Sequence, residues 1–166
     1  MNKIYGNLTE FVPIRSDRGR LIVSYDCQPE ADGIHATWYE VYFYKKPHPV
    51  VTLEDIKSAV IADINAQTDE KILKGFMWEN MNVWLSSENQ FNFKAAYDLA
   101  VQTQGASLPI KFKLGETEEG EPLYHTFDTI AEITDFYTKA IAYINQCLNE
   151  GWQRKDSIDW SVYEVN

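Results

Sequence analysis

Cysteine, histidine and basic side chains are scarce in this chain, and each shortage argues against a class of chemistry. Its 166 residues include two cysteines and three histidines. Cys27 and Cys147 lie far apart and form no metal-type spacing, so they read as free thiols and not as a disulfide framework. His35, His48 and His125 have no second histidine or cysteine at ligand spacing, which argues against structural zinc. No Gly-rich phosphate loop, nucleophile elbow or His-Glu-x-x-His run occurs. Two acidic pairs, Glu54-Asp55 and Glu118-Glu119, have the chemistry of a general acid and base. Their positions, a helix's first turn and a loop tip, are explained by the helix dipole and by solvation. His125 reads as a partly exposed strand histidine. The expectation is a protein that is not an enzyme, with no metal and no cofactor.

Fifteen Lys and Arg against twenty-five Asp and Glu give a formal charge of −10, which repels phosphate backbones and anionic membranes. The densest basic stretches, Arg15-Ser16-Asp17-Arg18-Gly19-Arg20 and Lys45-Lys46, are short, so no nucleic-acid partner is expected. No apolar run approaches the roughly 20 residues that span a bilayer, and Met1 to Asn7 lacks the apolar region of a secretory signal. A soluble product made in the cytoplasm, with no membrane partner, is expected.

Large apolar side chains are plentiful. The composition is 45% hydrophobic and 14% aromatic, with five Trp and ten Tyr, enough to build a real core. Arg20 to Tyr25 and His35 to Tyr44 are rich in β-branched and aromatic residues and flank a Pro- and Asp-Gly-containing turn, Gln28 to Gly33, which predicts an antiparallel hairpin. Pro47 and Pro49 then mark a boundary. Thr52 is positioned to cap a helix with Leu53, Ile56, Val60 and Ile64 on its buried stripe and Lys57, Asp63 and Asn65 turned to water. That pattern weakens through Gln67 to Glu70.

Phe76 to Glu79 and Val83 to Ser86 predict a second hairpin about an Asn80-Met81-Asn82 turn. Ser87 and Gln90 have capping-box spacing for a second helix running to about Gln104, with Gly105 as its stop. Ile110 to Leu114 and Leu123 to Phe127 predict a third hairpin across the Gly115 to Glu121 loop. Thr129 and Glu132 repeat the capping box before a helix whose apolar face is Ile130, Ile133, Tyr137, Ala140, Ile141, Ile144 and Leu148, and which Gly151 is expected to end. The fold class is α+β: three main helices alternating with short antiparallel β-hairpins, plus a β-rich N-terminal segment. The expected division is a β-rich segment at 1–46, a Pro-containing linker at 47–52 and a helix/hairpin domain at 53–166.

Trp38, Tyr39, Tyr42, Tyr44, Trp78 and Trp84 are the candidate contact residues. Core packing is the first explanation for such rings. Exposed together, they would supply a protein interface or a platform for a carbohydrate or small ligand.

One run of features is shared with a known group. The helix ending in Ile64-Asn65-Ala66 is followed by Ile72-Leu73-Lys74-Gly75-Phe76-Met77-Trp78, then by Val83-Trp84-Leu85-Ser86-Ser87-Glu88-Asn89-Gln90-Phe91-Asn92-Phe93. Ile144 to Trp152 and Lys155-Asp156-Ser157-Ile158 complete it. From about residue 53 to 160 the chain resembles a domain of unknown function found in bacteriophage and prophage proteins, often associated with tail fibres or other virion parts. The resemblance implies a structural or accessory role in a tail, fibre or neck assembly. It also implies a virion location, other virion or tail proteins as partners, and room for a homo-oligomer. It transfers no site residues.

Overall fold

Alternating apolar residues organise the N-terminal part into a sheet that one helix closes. The computed structural model describes residues 2–44 and 50–164; His48, Lys45-Lys46 and the two prolines of the expected linker lie outside the described residues. Strands β1 (Asn2–Asn7), β2 (Ile14–Asp17), β3 (Arg20–Pro29) and β4 (His35–Tyr44) form one antiparallel sheet in the order β1-β4-β3-β2. The expected hairpin is β3–β4, with Val23 opposite Val41 and Tyr25 opposite Tyr39 before a bulge between Tyr25 and Gln28. The flanking strands were not foreseen. The polar run of β1 carries little strand signal and takes its conformation from pairing with β4.

Helix α1 (Leu53–Lys74) begins where Thr52 predicts. The Asp55 amide donates to Thr52 Oγ1 (3.2 Å) and the Thr52 amide donates to Asp55 Oδ2 (2.8 Å), a reciprocal cap. Ile56, Val60 and Ile64 pack with Val23, Tyr25 and Tyr163, and Tyr39, Val41, Phe43 and Leu53 lie against them. Val23, Ile56, Val60 and Ile64 are fully removed from water, and each contributes roughly 1.5–3 kcal/mol before chain entropy is counted. The helix does not weaken at Gln67: that side chain is buried and hydrogen-bonded, and the helix runs unbroken into Ile72.

The chain forms two compact units, residues 1–67 with 151–166, and residues 68–150. The division between them falls inside α1. The inner face of the sheet would be open to water without Ile56, Val60 and Ile64, so the start of α1 belongs with the sheet.

The second unit holds β5 (Phe76–Trp78), β6 (Met81–Val83), α2 (Ser87–Gln102), β7 (Ile110–Glu116), β8 (Pro122–Phe127) and most of α3 (Ile130–Asp156). The β5–β6 turn is Glu79-Asn80, both at positive φ (47° and 64°), one residue earlier than the Asn80-Asn82 expectation. A two-residue turn of this hand matches the twist of the strands. Ser86 caps α2, not Ser87: its Oγ accepts from the Asn89 amide at 3.2 Å, and Gln90 Nε2 donates to the Leu85 carbonyl. Thr129 caps α3 as expected, accepting from the Glu132 amide at 3.2 Å.

Gly151 does not end α3, which continues to Asp156. A helical glycine costs only about 1 kcal/mol relative to alanine, and Arg154 is anchored beyond it. The core of the second unit gathers Trp78, Phe93, Leu114, Phe127, Ile133 and Phe136. The Phe136 ring lies 5.0–5.1 Å from those of Phe93, Phe127 and Trp78. Phe136 and Cys147 sit on the buried face of α3 although the predicted stripe omits them.

Candidate functional site

Along β4, Tyr39, Val41 and Phe43 face the α1 core, so strand alternation turns Trp38, Glu40 and Tyr42 to the opposite face. There Glu40 is 3% exposed and accepts from Arg15 Nη1 (2.7 Å), Trp38 Nε1 (3.1 Å), the Tyr42 hydroxyl (2.8 Å) and, more weakly, Ser24 Oγ (3.5 Å). Burial alone pushes its carboxyl up. The hydrogen bonds from Arg15, Trp38 and Tyr42 outweigh that and hold it below the ordinary carboxylate value. An acid held ionised by three donors is poorly suited to take up a proton, so the cluster acts as a brace.

A second network, invisible to sequence reasoning, joins the sheet to α1 and the end of α3. The Tyr25 hydroxyl donates to Asp63 Oδ2 at 2.5 Å, and Gln67 Nε2 donates to both the Tyr25 oxygen (3.0 Å) and Asp63 (2.9 Å). Arg154 donates to Gln67 Oε1 (2.8 Å) and Asp26 Oδ2 (2.7 Å), with its guanidinium 5.0 Å from the Tyr39 ring centre. Asp63, expected to face water, is thus bound to Tyr25. Burial and then Asp63 push the Tyr25 hydroxyl far above the ordinary tyrosine value, which keeps it protonated as a donor. Asp26 stands in the bulge at φ 54°, an unusual angle for a residue with a side chain. Tyr25→Phe is expected to cost about 1–2 kcal/mol, because Asp63 and Gln67 lose a buried partner; urea denaturation reads it.

His125 is half-buried between aromatic rings. Its Nε2 lies 2.8 Å from Glu132 Oε1, and its ring is 4.9 Å from Trp78 and 4.7 Å from Phe127. Glu132 also accepts the Asp128 amide (3.0 Å) at the start of α3. Burial raises its carboxyl, but the amide and His125 more than compensate and leave it below its usual value. Glu54, Asp55, Glu118 and Glu119 are exposed. Cys27 is half-buried, its thiol pushed up first by burial and then by Asp26, and Cys147 is buried. Among the described residues, no group of three His, Cys, Asp or Glu could hold a metal ion, and no helix is long and apolar enough to cross a membrane.

The candidate aromatics divide. Trp38 and Trp78 are each 3% exposed, within separate units. Tyr39 is stacked on Tyr25 at 5.8 Å, and Tyr42 is tied to Glu40. Tyr44 and Trp84 reach the surface, at 64% and 37% exposure. Tyr42, Phe43 and Tyr44 line a groove of about 630 Å³ with Val50, Val51 and Ala59. On the second unit, Trp84 joins residues that sequence reasoning did not select. The Trp84 amide donates to the Leu114 carbonyl (2.8 Å), and Lys113 pairs across the hairpin with Tyr124. Lys113 Nζ lies 5.7 Å from the Trp84 ring centre and Lys111 Nζ 4.6 Å from that of Tyr124. The alternation of Ile110 to Leu114 was the available signal, since it turns both lysines away from the core.

A family model described as a domain of unknown function (DUF4376) matches residues 55–165. The chain belongs to this family. The match runs from the first turn of α1 to the C-terminal segment and leaves out β1 to β4. The family's description assigns no activity, so the local geometry of this member supplies the functional argument. No curated protein and no solved structure gives a match.

Proposed function

We propose that this family member is a non-enzymatic structural or accessory protein of a bacteriophage or prophage particle, working through protein–protein contacts in a tail, fibre or neck assembly. The carrying observation is how its polar groups are used. Glu40 with Arg15, and Tyr25 with Asp63, Gln67 and Arg154, satisfy one another inside the first unit. Tyr44, Trp84 and Tyr124 meanwhile stand at the surface, where rings supply contact area at little entropic cost. The phage assignment rests on the resemblance of residues 53–160. A charge of −10 disfavours nucleic acid as the partner.

The test is to fractionate particles and tail precursors on a density gradient and probe for the chain. Co-migration with either supports the reading; its absence from both overturns it. A second reading, a carbohydrate- or small-ligand-binding module, is favoured by the Trp84–Lys113–Tyr124 row. A glycan screen with Trp84→Ala and Tyr124→Ala controls would separate the two, since only that reading predicts binding that both variants lose.

A further inference from the structure

Among the described residues, the four-stranded sheet ends in two edge strands, β1 and β2, and they differ. Strand β2 is four residues long, follows Pro13 and carries Arg15 and Asp17, with Asp17 paired to Arg20 at 3.5 Å. Charge, proline and shortness are what keep an edge strand from pairing with another chain. Strand β1 has six residues in unbroken register with β4, no proline and one charge, Lys3.

The Leu8 amide donates to the Ile34 carbonyl at 2.7 Å. Antiparallel alternation then turns the main-chain groups of Asn2, Ile4 and Gly6 toward β4 and those of Lys3, Tyr5 and Asn7 outward. The Asn7 amide is taken by Glu10 Oε2 (3.3 Å). The open ladder is therefore Lys3 and Tyr5, both exposed, with Tyr5 at 65% and stacked on one face by His35 at 5.4 Å.

We propose that β1 pairs antiparallel with β1 of a second copy about a twofold axis at Ile4, joining two four-stranded sheets into one of eight strands. The segment is self-complementary in that register. Lys3 falls opposite the second copy's Tyr5, and Tyr5 opposite its Lys3, so an ammonium meets a phenol ring twice and no like charges face each other. Asn2 falls opposite Gly6. A register centred on Lys3 sets the two ammonium groups face to face, and one centred on Tyr5 brings Lys3 against the Asn7 amide that Glu10 already occupies. The strand itself supplies both halves of this matched pair, which is why a second copy is the favoured occupant. Edge pairing alone buries less than the roughly 1,200 Å² of a stable interface, and two copies each carrying −10 repel. The dimer is therefore weak and is strengthened by salt. This inference rests on the reading that the chain works through protein contacts and adds a contact with itself.

Analytical ultracentrifugation of the full chain across a wide concentration range, at low and high salt, tests it. A monomer–dimer equilibrium that tightens with salt is expected. Tyr5→Lys sets like charges opposite one another and abolishes the dimer, while adding Lys3→Glu to it restores attraction and the dimer. Circular dichroism shows that each variant is folded. A monomer at every concentration, or a dimer indifferent to Tyr5→Lys in a folded chain, overturns the inference. A monomer that loses a virion partner on Tyr5→Lys places a foreign strand on this edge and likewise overturns self-pairing. A monomer found in particle fractions leaves the proposed function standing; a self-dimer absent from particles and precursors does the reverse.

Discussion

Replacing Arg15 with methionine is expected to cost about 2–4 kcal/mol at neutral pH. Removing one partner of a fully buried ion pair costs roughly 3–5 kcal/mol. The effect here is smaller because the Arg15 side chain is 39% exposed while that of Glu40 is 2% exposed. The loss should depend on pH in a particular direction. In the native chain the Glu40 carboxyl sits below its ordinary value, so its contribution is complete above the unfolded value and fades as pH falls through the folded one. Without Arg15, burial is opposed only by Trp38 and Tyr42, so the folded value is higher than in the native chain, and the penalty is full at neutral pH and relaxes on acidification. Urea denaturation of both proteins at pH 7 and near pH 4, where ordinary carboxylates titrate, should show the gap narrowing. A gap of equal size at both would mean that Arg15 acts through packing alone. The double variant Arg15→Met with Glu40→Gln should recover part of the loss, since no charge is then stranded.

Gly115→Ala should be the other large effect, about 2–3 kcal/mol, as overpacking against a fixed neighbour costs. A Cβ at Gly115 would sit well inside contact distance of the Asn82 carbonyl oxygen. That atom is backbone and cannot rotate away. The clash falls where β6 meets β7, beside the hydrogen bond from the Trp84 amide to Leu114, so faster amide exchange at Trp84 should accompany the loss. Gly120→Ala is the control. It has a φ of 86° but nothing within 4 Å of an added Cβ, so it should cost only the roughly 1 kcal/mol of a left-handed alanine. Equal losses at the two positions would refute the packing argument.

Local chemistry made much of this architecture readable in advance. A capping hydroxyl, a hairpin turn and a strand alternating through Ile110 to Leu114 act within a few residues, so Thr52, Thr129 and the three hairpins stand in the chain itself. Where two neighbours can fill one role, the local signal does not choose between them. Ser86 and Ser87 are both able cappers, and the helix begins after the first because its Oγ meets the Asn89 amide. The family resemblance likewise pointed to the span that the family model matches.

Long-range partners decided the rest. Strand β1 is polar, and only β4 makes it a strand. Asp63 lies on what periodicity marks as the wet side of α1, yet a tyrosine 38 residues earlier claims it. Gly151 carries a stop signal that α3 overrides, with Arg154 fastened to Asp26 across 128 residues. Trp38 and Trp78 had the composition of contact residues and became core, whereas Lys113, Tyr124 and Trp84 meet at the surface because two hairpins lie side by side. Periodicity and capping operate over one or two turns of chain, while burial and hydrogen-bond satisfaction are settled among groups that only folding brings together.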